Sequence, residues 1–365
     1  MNKVLAILII ILFAIPFKGW AEGSSGEPKE INPKEIIFEH LGDGYGWEVP
    51  FSHSNRIPLP IILRDYKGDW HFFSSSRLLH GQEYDGFRIA TEGPYAKKIV
   101  GMKPGNDGKL QEYRPVDLSV TKNVFALIIS AFVVLICTFS VSRWYKKHKM
   151  RAPRKGTAAM EFIVEFIYYG VIRPTLGAKA HKYAPYLLTV FFFILTMNLL
   201  GLIVIFPGGA NLTGNIAVTL VLAVCTFLMT NIGSTKHYWK EIFWPDVPLW
   251  LKFPIPIMPI IEIFGMFTKP AALMVRLFAN MMGGHMIVIV LILLIFIFAS
   301  FGTVIIGVST VVSVLFSLFM LVIDVLVSFI QAYVFTMLST LFISLAQDDG
   351  KGHEHKKEQL ENKDN

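Results

Sequence analysis

Five ionisable residues, Glu262, Lys269, Arg276, His285 and Asp324, interrupt two long apolar runs in the last third of the chain. At the depth of a bilayer each would cost at least ~2.5 kcal/mol on insertion scales, so each needs a reason to be there. Lys269, next to Pro270, has an apolar stem long enough to return its ammonium to the inner surface. Arg276 keeps its proton at every accessible pH. It can act only as a fixed positive field, which suits a barrier or a carboxylate partner. On a helix, Glu262 would lie about 21 Å from Arg276 toward the cytoplasm, and His285 about 13 Å toward the outside. Two titratable groups then flank one permanent charge. Two half-channels separated by an electrostatic gate would need that arrangement, because a proton wire running past the guanidinium would short-circuit any gradient.

A purely structural role competes with this one. If the two runs form an antiparallel hairpin turning at Ser300, Arg276 meets Asp324 and the two make an internal salt bridge. If the turn centres near Val304, Arg276 meets Gln331 and His285 meets Asp324. Both of those contacts then share one register, and a histidine paired with an acid can relay protons. The spacing leaves both registers open.

These residues need elements to carry them. The chain has 365 residues, 53% hydrophobic and 17% charged, where soluble domains are about a quarter charged. The surplus of apolar residues points to a membrane protein. Net charge is +7, yet the basic residues cluster beside apolar segments and are not interleaved with aromatics as a nucleic-acid surface would be. Cys137 and Cys225 both sit inside apolar runs, which excludes a disulfide framework and a thiolate metal cluster.

From Asn123 onward the uncharged runs are long enough to cross about 30 Å of hydrocarbon. Asn123–Ser142 is one span, followed by Arg143–Lys155 with seven Lys or Arg and no acid. The positive-inside rule assigns that loop to the cytoplasm. Residues 156–177 mix apolar residues with Glu161, Glu165 and Arg173 and are expected along the interface. Tyr183–Thr235 is broken at Pro207-Gly208-Gly209 and Asn211–Asn215, so two helices joined by an outer turn are expected. As helix, Pro254–Phe298 and Gly302–Leu345 would each be about twice the hydrocarbon thickness, and the middle of the second, Val308–Phe335, offers only Asp324, Gln331 and small hydroxyls, so a long tilted helical hairpin is expected. The fold class is therefore an all-α polytopic membrane protein with five membrane-crossing helices and an interfacial helix. Residues 116–346 form the membrane domain, and 347–365 a charged cytoplasmic tail.

The beginning of the chain is different material. Residues 1–21 read as a signal peptide, with Lys3, the apolar run Val4–Ile15 and small residues before Glu22. Residues 22–115 alternate polar and apolar positions, as in Pro60–Arg64, between the turn signals Gly68-Asp69, Asp85-Gly86 and Asn106-Asp107-Gly108. A small β-rich extracytoplasmic domain is expected. Its scattered histidines, His40, His53, His71 and His80, match no metal-ligand spacing, and no metal site is assigned.

Arg276-Leu277-Phe278-Ala279-Asn280-Met281, with Lys269-Pro270 before it and Gln331-Ala332-Tyr333-Val334-Phe335 after it, resembles subunit a of the F-type ATP synthase membrane sector. Met197–Leu202 and Asn211–Thr219 match that family's third and fourth helices, so the resemblance covers about 120 to 346. It implies a stator subunit in the cell inner membrane that couples proton flow to rotation of a c-ring. In that family Arg276 would face the c-ring carboxylates with Asn280 and Gln331 beside it, and Glu262 would line the cytoplasmic half-channel. Asn198, His285 and Asp324 would line the outer half-channel, which favours the second register. The implied partners are the c-ring, the subunit b stator stalk, the other synthase subunits and lipid. No cofactor, nucleic acid or nucleotide is implied for this chain, which has no Gly-rich phosphate loop. One departure stands out: bacterial relatives carry an acid at the position of 285 and a histidine at that of 324, the reverse of this chain. Beyond the family core, only Glu35–His40 is similar to the family's short N-terminal helix.

Two other classes fit a chain with buried charges. A secondary transporter should show an internal repeat, and the sequence shows none. A membrane-anchored scaffold would use its charges only in pairs.

The exchanged pair gives a test. His285→Asp and Asp324→His each leave two like groups, whose mutual repulsion slows proton transport. The double exchange restores one of each and should recover much of the rate, with a coupling of about 1 kcal/mol or more in the mutant cycle. Additive losses would show that the two residues do not work together.

Overall fold

The computed structural model describes residues 42–48, 56–90, 93–104, 110–148, 153, 156–203, 209–243, 257–298 and 303–347. The signal segment, the Asn106–Gly108 turn and the charged tail beyond 347 lie outside the described residues.

Among its described residues the β-rich part forms three small antiparallel sheets. β1 (Gly46–Glu48) pairs with β2 (Arg56–Pro58), and β3 (Pro60–Arg64) lies between β4 (Trp70–Ser74) and β8 (Val116–Asp117). β5 (Phe87–Ile89), β6 (Ile99–Pro104) and β7 (Leu110–Tyr113) form a meander. Alternation along β3 does what a half-buried strand requires: Ile61 and Leu63 turn into the core while Pro60 and Arg64 face out. At the predicted Asp85-Gly86 turn both residues have positive φ, 55° and 76°, and Tyr84 and Phe87 exchange backbone bonds of 3.0 Å. That is the two-residue turn whose twist suits a hairpin. Tyr45 packs against Ile61, Leu63, Leu78, Phe87 and Ile99, and its hydroxyl donates to Asp117 Oδ2 at 2.5 Å. Burial first, then the Asp117 carboxylate, pushes that phenol well above its usual range.

The helical part begins where β8 ends. α1 (Lys122–Lys147) is capped by Thr121, whose hydroxyl accepts from Val124 N, and Asp43 Oδ1 accepts from Asn123 N. Side-chain acceptors here satisfy amides that an isolated helix start leaves open. α2 (Gly156–Ile167) runs through a π-helical turn (Tyr168–Ile172) into α3 (Arg173–Leu176) and then, past Gly177 at φ 55°, into α4 (Ala180–Leu202). The outer turn expected between two helices is present: α4 gives way to α5 (Ile216–Ile232), capped by Asn215. α6 (Lys236–Phe243) bends from α5 by 103°. Two long helices finish the described chain, α7 (Ile257–Phe298, 42 residues) and α8 (Thr303–Ala346, 44 residues).

Among the described residues, four helical stretches are long and apolar enough to cross a membrane, and a fifth if bent α5 and α6 count as one span. The chain is thus a polytopic membrane protein by helix length and composition. One of the four, Gly156–Leu202, contains the stretch expected along the interface, because α2 and α4 are joined by turns and not by a loop.

Burial places α4 in the middle. Leu187, Phe191, Ile194 and Met197 are fully enclosed, against α1 on one side and α8 on another. α7 and α8, by contrast, leave large apolar residues such as Phe264, Phe319 and Val322 exposed.

α7 and α8 pack antiparallel, and three contacts set their register. Lys269 Nζ lies 5.7 Å from the Phe342 ring, Asn280 Nδ2 donates to Gln331 Oε1 at 2.6 Å, and a Cβ on Gly284 would meet Asp324 Oδ1 at 2.6 Å. The missing side chain at Gly284 therefore leaves the space that the Asp324 carboxyl fills against α7. The register that would pair Arg276 with Asp324 is not adopted. At its other end α8 is clamped: Thr235 N donates to Ala346 O, Lys179 Nζ to Gln347 O at 2.7 Å, and Ser344 Oγ to Thr175 O. A cation on the last carbonyl of a long helix complements the negative end of its dipole.

In a background lacking Cys137 and Cys225, Gly284→Cys with Asp324→Cys should form an intramolecular disulfide on mild oxidation, protecting both thiols from a maleimide-polymer label. Arg276→Cys with Asp324→Cys should stay fully labelled, since thiols further apart than disulfide geometry allows cannot bridge. The reverse pattern would refute the register.

Candidate functional site

Arg276 and Asn280 stand one turn apart near the midpoint of α7, and both are exposed. Their neighbours Leu273, Leu277 and Met281 are buried. The helix thus packs one stripe inward and presents the guanidinium on the exposed flank beside it. No hydrogen bond or ion pair reaches Arg276 among the described residues. Asn280 bridges inward to Gln331, itself 3% exposed, so the amide pair ties the exposed stripe to α8. The expected Arg276–Gln331 contact is replaced by this one, a turn further along.

His285 lies nine residues beyond Arg276 and points toward α4: its Nε2 would be 3.7 Å from a Cβ on Gly201 and is buried without a hydrogen-bond partner. Asp324 rests on the adjacent Gly284. The two residues are neighbours across the hairpin but are not hydrogen-bonded to each other. Asp324 makes no ion pair among the described residues.

Around the end of α4 other polar groups collect. Asn198 is fully buried and accepts from Thr213 Oγ1 at 2.8 Å, leaving its Nδ2 unpaired. Asn211 accepts from Gly214 N at 2.9 Å and also leaves Nδ2 unpaired. Three buried nitrogens without partners, on Asn198, Asn211 and His285, thus lie at the end of α4 and the outer turn beside it; the two amides can donate to water and the imidazole can carry a proton. Buried polar atoms are seldom left so. Sequence reasoning named Asn198 and His285 but not Asn211, Thr213 or Gly284. The available signals were amide and hydroxyl residues in an apolar outer turn, and a Gly283-Gly284 pair just before the histidine.

Glu262 is not part of that cluster. It lies on the first turns of α7, half-buried and within electrostatic range of Tyr238 on α6. Nearby, Thr226, Thr230, Asn231, Tyr238 and Lys269 line a cleft closed by Phe342. Lys269 is half-buried there against that ring. The ionisable residues are thus divided into two polar regions on either side of Arg276.

Residues 124–344 match the family model described as ATP synthase A chain, and residues 36–118 match a separate domain of unknown function, DUF8433. An ATP synthase subunit a of Pelodictyon phaeoclathratiforme is 42% identical over 285 residues, 75% of this chain and 79% of that protein. An ATP synthase subunit a 2 of Prosthecochloris aestuarii is 44% identical over 240 residues, 65% of this chain and 71% of that protein. The Myxococcus xanthus ATP synthase subunit a is 37% identical over 254 residues, 66% of this chain and 78% of that protein. The chain belongs to the ATP synthase A chain family, the membrane-sector subunit a of the F-type ATP synthase, whose part is proton translocation coupled to ATP synthesis.

Proposed function

We propose that this chain is the stator against which a c-ring turns, with Arg276 as the fixed cation between two half-channels. The observation that carries this reading is the exposed guanidinium halfway along α7 with no anion beside it among the described residues. Left unmet in hydrocarbon, such a charge is expensive. A passing carboxylate on a rotating partner meets it and is held ionised while it passes.

Protons from the outside reach the c-ring carboxylate through Asn198, His285 and Asp324, ride nearly a full turn, and leave past Glu262. Asn280 and Gln331 hold the face of α7 that the ring passes. The inclination of a 42- and 44-residue hairpin, about 63 and 66 Å long, carries these groups across a hydrocarbon layer about half as thick. One charge crossing 100 mV yields about 2.3 kcal/mol, so several must pass for each ATP made on other subunits.

In this reading the subunit sits in the cell inner membrane with its N-terminal domain, residues 22–115 after removal of 1–21, outside and its tail inside. A subunit b stalk keeps it from rotating with the ring.

Arg276→Ala should abolish ATP-driven acidification of inverted vesicles while the subunit remains in the assembled complex. Acidification at near wild-type rate in that variant would overturn the gate assignment.

A further inference from the structure

One sheet of the β-rich domain is apolar on both faces. Ile61 and Leu63 of β3 turn into the core, and Phe73 of β4 packs on that core. Alternation sends the residues between them the other way. There Trp70 opposes Arg64, Phe72 opposes Ile62, and Val116 opposes Arg64 from the far edge, while Leu118 N donates to Ile62 O. Trp70, Phe72, Val116 and Leu118 are each 49% exposed or more. The Trp70 and Phe72 rings stack with centroids 6.4 Å apart, and the Arg64 guanidinium stands 5.7 Å from the centre of the Trp70 ring. An antiparallel sheet with one face in water alternates apolar-in with polar-out. This outward face is instead aromatic and aliphatic, with Arg64 among the rings, and a contiguous exposed face of that kind marks an interaction site.

What meets it follows from where the sheet stands. The domain is held to the start of α1: Trp47 of β1, 2% exposed, meets Phe125 edge-on at 5.9 Å between centroids and shares one apolar core with Ala126 of α1 and Met197 of α4. Gly44 O also accepts from Lys122 N at 2.9 Å. α1 ends in Trp144, Tyr145, Lys146 and Lys147, the aromatic and basic composition of a membrane boundary. Twenty residues of helix, about 30 Å, cross the hydrocarbon, so the opposite boundary falls at Val124. From there α1 exposes Val124, Ile128 and Phe132. In the other direction, three extended residues and the first turn of the helix separate Leu118 from Val124, about 15 Å of chain at most. Trp70 and Phe72 stand two strands, about 10 Å, to one side of Val116 and Leu118. The apolar sheet face thus begins where the exposed apolar flank of α1 leaves off.

We propose that the outward face of the β4–β3–β8 sheet lies on the phospholipid headgroup layer of the leaflet in which α1 begins, with Trp70, Phe72 and Leu118 at the boundary between headgroups and acyl chains. Trp rings favour that zone because one end is apolar and the other polar. Arg64, placed over the Trp70 ring, meets a headgroup phosphate there. With Trp47 on the bundle and this face on lipid, the domain braces the start of α1 from two directions. The inference holds whichever side of the membrane the domain occupies and does not rest on the half-channel reading. It gives the residues matched to a family of unknown function, 36–118, a part at the membrane surface.

The test uses the complete synthase in phosphatidylcholine–phosphatidylglycerol nanodiscs, with a bimane label on Phe72→Cys in a subunit lacking Cys137 and Cys225. Phospholipid carrying a nitroxide near its headgroup should remove most of the label's emission, and iodide in the buffer should remove little. Lys98→Cys, in the turn between β5 and β6, should show the reverse. Leu118→Cys should behave as Phe72→Cys does, so that the result does not hang on one variant. Iodide quenching at 72 and 118 equal to that at 98 would overturn the proposal. Equal quenching by lipid at all three positions would overturn the assignment to this face. Protection of 72 and 118 from both quenchers would also overturn it, by giving the face to a protein partner or a second copy of this chain.

Discussion

A guanidinium that cannot lose its proton, presented on the outer side of α7 at mid-length, is the constraint to which the rest of the hairpin answers. Arg276 is exposed because Leu273, Leu277 and Met281 claim the inward stripe. It stays unpaired because the register of α8 places Gln331, not Asp324, near its level. That register depends in turn on Gly284, whose missing side chain lets Asp324 approach the α7 backbone. Pairing Arg276 within the chain would have neutralised a fixed cation that has no counterpart at that depth among the described residues, and removed its use to a partner. The hairpin instead satisfies itself with neutral amides and leaves the charge outward.

The outer polar cluster obeys a related logic. A membrane interior offers no water to lone amides, so unpaired donors there are costly unless a cavity or a partner answers them. Asn198, Asn211 and His285 each keep one nitrogen uncommitted at the end of α4. Along α8 the hydroxyls divide: Ser328 folds back on Asp324 O and Thr340 on Thr336 O, whereas Ser313, Thr336 and Ser339 are buried without a partner. The α4 end differs in the kind of group left open, two amides and an imidazole in place of hydroxyls.

Much of this was legible because apolar run length and charge are strong signals. The two long helices end within three residues of the runs read from sequence, and the break after Leu202 follows the Pro-Gly and Asn punctuation. The β strands followed alternation and turn residues, with Asp85-Gly86 the clearest. The antiparallel register was not legible from the ionisable residues alone, since two pairings satisfied them. The missing signal was a glycine, which has no side chain to pattern. The continuity of α2 with α4 escaped because Glu161, Glu165 and Gly177 resemble an interfacial stretch and its end, while the π-helical turn at Tyr168–Ile172 has no composition of its own. The docking of Trp47 on the bundle escaped for a different reason: it is a contact between distant parts of the chain, and nothing near Trp47 in sequence encodes its partner.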